Sequence, residues 1–263
     1  MATRHFALSE VEPAFVAAWD VLRSWLNDVR PEEFDEPSAV AGWSVADLSA
    51  HVGLTMGALK AGEPVEASAN EPAMSVEEWT RIYPKVAAGI DRATKDRAEA
   101  TASNLLGGLD DQWASVQQVL AAAEGMDHVL LVRTQRTRLS DLIASRLIEI
   151  VVHSDDLARS LPLRPAPIMP RSALLIVVRT MLDVLSERAP GRSVEVRVPP
   201  FAAVQCIEGP RHTRGTPPNT IETDPTTWIQ LASGRITWSD AVSNHRVRVS
   251  GERADLSTLL PLI

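Results

Sequence analysis

RLIEIVVHSDDLARSL, residues 146–161, ends the helical segment on which the fold depends. Apolar residues recur through that segment at about 100° per residue and form one stripe: Ile143, Leu147, Ile150 and Leu157. Glu149 and His153 lie four residues apart, so their side chains meet on one face at the edge of the stripe. Asp156 falls on the same edge and could orient one of them by a hydrogen bond. The pattern predicts a helix that turns polar groups toward the interior of a bundle.

Three more helices are predicted upstream from their start signals and apolar spacing. Each opens on a serine with an acidic residue three positions later, as in a capping box: Ser9 with Glu12, Ser44 with Asp47, and Ser75 with Glu78. The fourth helix, which contains the quoted stretch, opens near Ser140 and runs to about Leu161.

The connections between these helices are expected to be polar. A linker begins at Gly62, and the third helix is expected to kink at Pro84 and to break at Gly107-Gly108. Four helices joined in this way predict an antiparallel four-helix bundle.

The composition changes at PLRPAPIMP, residues 162–170, whose four prolines indicate a semi-rigid linker. The expected order beyond it is a helix over 171–187, strands over 193–199, 201–208 and 219–223, a helix capped by Asp224, a short helix near Ser239, a strand over 245–251, and a final helix from about Arg253. The sequence therefore predicts two domains: an all-α four-helix bundle over residues 1–163 and an α+β domain over residues 168–263.

Composition excludes several classes of protein. The net charge of −8 and the pI near 5.3 argue against a general nucleic-acid binder. No apolar stretch reaches the roughly 18 residues of a membrane span, and MATRHFALSEVEP lacks the apolar core of a signal peptide, so no membrane partner and a cytoplasmic location are expected. The single cysteine, Cys206, excludes an internal disulfide and a multi-thiolate zinc site, and it is expected to be a small buried side chain.

A candidate metal site combines Glu149 and His153 with His51, which lies beside apolar residues on the second helix. Two imidazoles and one carboxylate leave a fourth position open, as in catalytic rather than structural zinc sites. By spacing alone, an E-x-x-x-H pair on a helix is more often an i,i+4 salt link or a surface pair than a metal site, and a single histidine on such a helix is usually a hydrogen-bonded core residue. The metal interpretation also requires the second and fourth helices to be neighbours, which no local pattern determines.

Two motifs resemble those of a known family. GWSVADLSAHVG, residues 42–53, is similar to the W-[ST]-x-x-D-L-x-x-H pattern of the mycothiol-dependent maleylpyruvate isomerases, and residues 146–161 resemble their E-x-x-x-H-x-x-D-L element. WIQLASGRITW (228–238) and VRVSGERADLSTLLPL (247–262) resemble the sterol carrier protein-like domain appended in that family. The resemblance implies a DinB-like bundle followed by a sterol carrier-like domain.

The resemblance also implies roles for individual residues. His51, Glu149 and His153 become the ligands of a divalent metal, expected to be zinc. Trp43 and Asp47 become the structural start of the ligand-bearing helix. The family uses a basic residue from its C-terminal domain at the active site, and Arg235 is our candidate for that catalytic group.

The function implied is that of an enzyme using a low-molecular-weight thiol, mycothiol, as cosubstrate. The thiol would act on a small unsaturated acid such as maleylpyruvate, by cis–trans isomerisation or by S-transfer. Two alternatives stay open: a non-catalytic protein that binds metal and an apolar ligand, and a hydrolase that uses zinc-activated water without a thiol.

Overall fold

The computed structural model describes residues 5–66, 73–209 and 219–263. One unit, here called the bundle unit, holds His5–Ser75 and Ile82–Ala173, and the other, the α+β unit, holds Val76–Arg81 and Leu174–Ile263. The predicted fold class is confirmed, because the N-terminal region is helical and the C-terminal region combines helices with a sheet. The domain limits expected at residues 163 and 168 stay predictions.

The bundle unit is built around one central helix. Its helices are α1 (Leu8–Asn27), α2 (Val45–Gly57), α3 (Val76–Thr101, of which residues 82–101 belong here), α4 (Leu105–Ala122) and α5 (Leu139–Ser160). Short 3-10 helices follow α1 and α2, at Pro31–Asp35 and Ala58–Ala61. Helix α5 packs against α1 and α2, and α2 also packs against α4. The predicted apolar stripe of α5 is fully buried, so the face that the spacing defined is the face that packs into the bundle.

The helix starts agree with the capping predictions only in part. Helix α2 begins after Ser44 as expected, with the Ser44 hydroxyl accepting from the Asp47 amide and the Asp47 carboxylate accepting from the Ser44 amide. The box predicted for Ser9 is wrong. Helix α1 begins after Ala7, whose amide donates to the Glu10 carboxylate at 3.1 Å. The helix therefore starts earlier than predicted, and Glu10 in its first turn is the acidic residue that accepts from the free amide.

The break between α3 and α4 lies at Asn104, and the break predicted at Gly107-Gly108 is wrong. The Asn104 side chain caps α4 by accepting from the Gly107 amide. A Cβ at Gly107 would lie 2.1 Å from Asn104 Nδ2, and one at Gly108 would lie 2.6 Å from Thr101 Cγ2. The two glycines therefore make room for the cap and for the preceding turn instead of ending the helix.

A small antiparallel sheet accompanies the helices and was not predicted. It contains β1 (Gly62–Val65), β2 (Val129–Val132) and β3 (Gln135–Arg138), in the order β1-β2-β3. The segment predicted as a polar linker from Gly62 is thus an edge strand, where Pro64 can be accommodated because an edge strand has unpaired amide positions. Each strand has four residues, too few to show a periodicity.

The α+β unit follows the predicted order except at its end. It contains α6 (Arg171–Arg188, from residue 174), β4 (Val194–Val198), β5 (Ala202–Cys206), β6 (Thr220–Thr223), α7 (Pro225–Ala232), α8 (Trp238–Ser243) and β7 (Val247–Ser250). The sheet order is β5-β4-β6-β7, with β4 and β6 parallel and the other pairs antiparallel. Asp224 caps α7 as predicted.

The final helix predicted from Arg253 is absent from residues 253–263. The amides of Leu262 and Ile263 instead donate to the carbonyl of Ala232, at the C-terminus of α7. This pairing satisfies a helix-end carbonyl, and Pro261 has no amide with which to continue a helical ladder. Among the described residues, no helix is both long and apolar enough to cross a membrane.

Two serines predicted as caps, of which only Ser44 is one, give a matched test of the local analysis. Replacing Ser44 by Ala should lower the free energy of unfolding by about 1 kcal/mol, because it removes the hydroxyl that accepts from the first turn of α2. Ser9→Ala should change it by less than about 0.5 kcal/mol, since Ser9 is exposed inside α1. Urea unfolding of the metal-free protein measures both, and equal losses would contradict the assignment of the caps.

Candidate metal centre

The packing of α2 against α5 brings His51, Glu149 and His153 together. His51 comes from the middle of α2, and the other two lie one turn apart on α5. Each offers one ligand atom, and these atoms lie within 4.8 Å of one another. All three side chains are buried. The neighbouring positions of the two helices, which the metal interpretation requires, are therefore present.

One carboxylate oxygen is the meeting point of the three side chains. Glu149 Oε2 lies 3.1 Å from His153 Nε2 and 3.5 Å from His51 Nε2. The two imidazole rings meet edge to face, with centroids 4.8 Å apart and an interplanar angle of 88°. Ligand atoms about 2.0–2.1 Å from a tetrahedral zinc ion are separated by roughly 3.4 Å. The two oxygen-to-nitrogen distances are close to this separation, and all three ligand atoms lie within 4.8 Å of one another, so the three side chains could hold a metal ion.

Each imidazole is oriented by a hydrogen bond at its Nδ1 atom. His153 Nδ1 lies 2.9 Å from Asp156 Oδ2, so the contact predicted for Asp156 is present. The other oxygen of Asp156 accepts from Arg159. His51 Nδ1 lies 3.1 Å from the hydroxyl of Thr94, on α3. Both rings therefore keep Nε2 for the shared site, an arrangement typical of metal-binding histidines.

The start of α2 supports the site as the resemblance implied. The Trp43 ring packs against His51 with centroids 4.8 Å apart. Its indole N–H donates to Asp91 Oδ1 at 2.7 Å, and this bond holds the pKa of the Asp91 carboxyl below its usual range. Asp47 has the capping role already described and is not part of the cluster. The aromatic ring and the cap fix the first turn of the helix that carries His51.

The electrostatics of the cluster keep the Glu149 carboxylate ionised. Burial raises the pKa of Glu149, but the hydrogen bonds from His153 and His51 outweigh it and hold that pKa well below its usual range. Burial also lowers the pKa of His153, yet its bonds to Asp156 and Glu149 leave the pKa raised. For His51 burial prevails and the pKa is lowered. Without metal, a carboxylate and a neutral imidazole share the site with a more basic imidazole whose proton a metal ion can replace.

The remaining predicted residues lie in the α+β unit. Arg235 is half-buried in the turn between α7 and α8, where its amide donates to the carbonyl of Gln230 and its guanidinium to that of Ser233. These contacts fix the turn, and its catalytic role stays a prediction. Cys206 ends β5 and is buried, and this burial raises its thiol pKa to about 11. A thiol of that pKa is not a nucleophile near neutral pH.

Sequence reasoning missed Thr94 and Asp91, which lie on α3 and contact His51 in the middle of α2 and Trp43 just before its start. Neither has a spacing signal, because their partners lie 43 and 48 residues away in the chain. These residues and their partners become neighbours only when α3 packs beside α2 in the folded bundle.

A helical bundle with a buried two-histidine, one-carboxylate cluster, followed by an α+β domain, is the class of protein that these observations define. Residues 15–158, more than half of the chain, match the family model described as the mycothiol maleylpyruvate isomerase N-terminal domain. The chain belongs to this family, which is a family of enzymes. Residues 170–262 match the model described as a bacterial SCP ortholog.

Solved structures agree with the fold. The crystal structure of the mycothiol-dependent maleylpyruvate isomerase superposes with a TM-score of 0.59 at 15% identity, covering 91% of this chain and 92% of that one. The crystal structure of a histidine-to-alanine mutant of that isomerase gives the same values. At this identity the likeness concerns the fold alone. No curated protein matches the sequence significantly.

Proposed function

We propose that the protein binds one divalent metal ion, zinc, through His51, Glu149 and His153, and that it catalyses a reaction of a low-molecular-weight thiol. The observation that carries the proposal is the convergence of two imidazole Nε2 atoms on one buried carboxylate oxygen. Three protein ligands leave one position for an external molecule, as in catalytic zinc sites. The family to which the chain belongs supports mycothiol as that molecule.

The chain's own residues prepare the site for this ligand. Asp156 and Thr94 hold the two imidazoles, and Glu149 supplies the negative charge that favours a cation. Zinc bound there would lower the pKa of a coordinating thiol, so that the thiol is present as thiolate near neutral pH. Because Cys206 is buried and carries a raised pKa, the reacting sulfur is supplied from outside the chain.

The reaction we propose is the cis–trans isomerisation of a small unsaturated acid such as maleylpyruvate. The thiol sulfur adds to one carbon of the activated double bond, and the electron pair moves toward the neighbouring carbonyl group. Rotation about the resulting single bond and loss of the sulfur give the trans acid and return the thiol unchanged. Transfer of the sulfur to another electrophile would use the same first step. Arg235 is proposed to bind a substrate carboxylate, for which the planar guanidinium is suited.

The metal ligands can be tested by metal analysis. His51→Ala and His153→Ala should each abolish stoichiometric zinc after gel filtration, because two remaining ligands hold the ion too weakly. His128→Ala is the matched control and should keep the metal, since His128 is outside the cluster. Wild-type protein that retains no more metal than His153→Ala would contradict the metal centre.

The thiol can be tested by thermal protection. Mycothiol should raise the Tm of the zinc-loaded protein and leave the Tm of the metal-free protein unchanged. In this proposal the thiol binds through its sulfur to the open coordination site of zinc, and a ligand raises Tm only of the protein form that binds it. S-methylated mycothiol, which cannot form a thiolate, is the control and should protect neither form. Protection without metal would favour a non-catalytic binding protein, and turnover of activated esters without thiol would favour a hydrolase.

Arg235 can be tested by kinetics. Arg235→Ala should lower kcat/KM for a carboxylate substrate by about ten- to a hundredfold, the loss expected from a charge-assisted hydrogen bond. Zinc content and protection by mycothiol should not change. Arg248→Ala is the control, because Arg248 is an exposed residue of β7. An Arg235 variant as active as the Arg248 variant would remove the arginine from the mechanism.

A further inference from the structure

We propose that Thr94, on a helix that supplies none of the three clustered groups, is a positioning residue for the metal centre. Its hydroxyl holds the His51 imidazole in the orientation that directs Nε2 to Glu149. The inference rests on the metal site proposed above and extends it to a third helix of the bundle.

The contact is direct and buried. Thr94 has no exposed surface, and its Oγ1 lies 3.1 Å from His51 Nδ1. At the opposite side of the same ring, His51 Nε2 lies 3.5 Å from Glu149 Oε2. When Nε2 binds a metal ion, a neutral imidazole carries its proton on Nδ1. That N–H then donates to the Thr94 hydroxyl, which has lone pairs to accept it.

The hydroxyl distinguishes one ring orientation from its flipped alternative. The His51 ring also packs against two other rings, the Trp43 indole, with centroids 4.8 Å apart at 49°, and the His153 imidazole, with centroids 4.8 Å apart at 88°. Such packing depends weakly on whether a nitrogen or a carbon occupies a given ring position. A half-turn of the ring would place a carbon against Thr94 and leave its buried hydroxyl without this partner, which has a cost. Thr94 therefore selects the orientation that the metal needs.

The two histidines are oriented by groups of different charge. His153 is held by the Asp156 carboxylate, whose other oxygen accepts from Arg159, whereas His51 is held by a neutral hydroxyl. A hydroxyl orients the ring without adding negative charge beside Glu149, which is already a buried anion. Thr94 thereby gives the His51 imidazole its direction without adding a third carboxylate to Glu149 and Asp156.

Helix α3 makes a second contact of the same kind three residues earlier. Asp91 accepts from the Trp43 indole at 2.7 Å, and residues three apart share a helix face. This face of α3 thus supports both the aromatic ring that packs on His51 and the imidazole itself. All four residues belong to the bundle unit.

The test compares three variants by metal affinity. Thr94→Val removes the hydroxyl at similar volume, Thr94→Ser keeps it, and Thr55→Val removes a buried hydroxyl that donates to the Val52 carbonyl of its own helix. Zinc dissociation constants are measured by competition with a chromophoric chelator. We expect Thr94→Val to weaken zinc binding by about ten- to a hundredfold, the usual effect of losing such a partner. Thr94→Ser and Thr55→Val should stay within about threefold of wild type.

A spectroscopic readout separates positioning from a merely structural role. The Co²⁺-substituted Thr94→Val protein should show altered d–d absorption bands, and Thr94→Ser should restore the wild-type spectrum. Should Thr94→Val fail to fold, nitrogen-15 NMR of the zinc-loaded wild type still decides, because the proposal requires a protonated Nδ1 and a metal-bound Nε2 on His51. Metal bound through Nδ1 would overturn it.

The failures are distinguishable. Thr94→Val with wild-type zinc affinity and an unchanged cobalt spectrum would overturn the positioning role and leave the metal centre standing. A wild-type protein that binds neither ion would overturn both.

Discussion

The burial of the Glu149 carboxylate is the constraint on which the bundle depends. An ionised group in a protein interior is costly unless it is hydrogen-bonded, and α5 is buried along most of its length. His153 on the same helix supplies one partner, and His51 supplies the other only if α2 lies against α5. The packing of α2 against α5, which also buries apolar side chains of both helices, thereby supplies the buried carboxylate with a second partner.

The same constraint extends outward through hydrogen bonds. Each imidazole that faces Glu149 has a second nitrogen to satisfy, and it does so with Asp156 on α5 and Thr94 on α3. Asp156 in turn is paired with Arg159. Every added partner restricts the rotation of the ring that it contacts, so the three candidate donor atoms are held in fixed directions. Preorganisation of this kind distinguishes a binding site from a chance cluster of polar side chains.

A division of chemical roles follows from these observations. The bundle unit concentrates the ligand atoms, whereas the cysteine of the chain lies at the end of a strand in the α+β unit, buried and with a raised pKa. The one cysteine of this chain is therefore unsuited to act as the reacting thiol. The proposed use of an exogenous thiol agrees with the family's description. In that proposal the protein binds the thiol, orients it and lowers its pKa.

Local spacing alone determined the features that depend on neighbours in sequence. These include the shared face of Glu149 and His153, the Ser44 cap, the Asp224 cap and the alternating strands. Tertiary structure decided which helix meets which. It placed His51 opposite Glu149, brought Thr94 to His51, turned the segment at Gly62 into an edge strand and replaced the final helix by bonds to Ala232. Such contacts join residues far apart in the chain, and they form because buried polar groups need hydrogen-bond partners from whichever element packs beside them. The periodicity of a sequence describes one helix or strand at a time, so it does not predict these contacts.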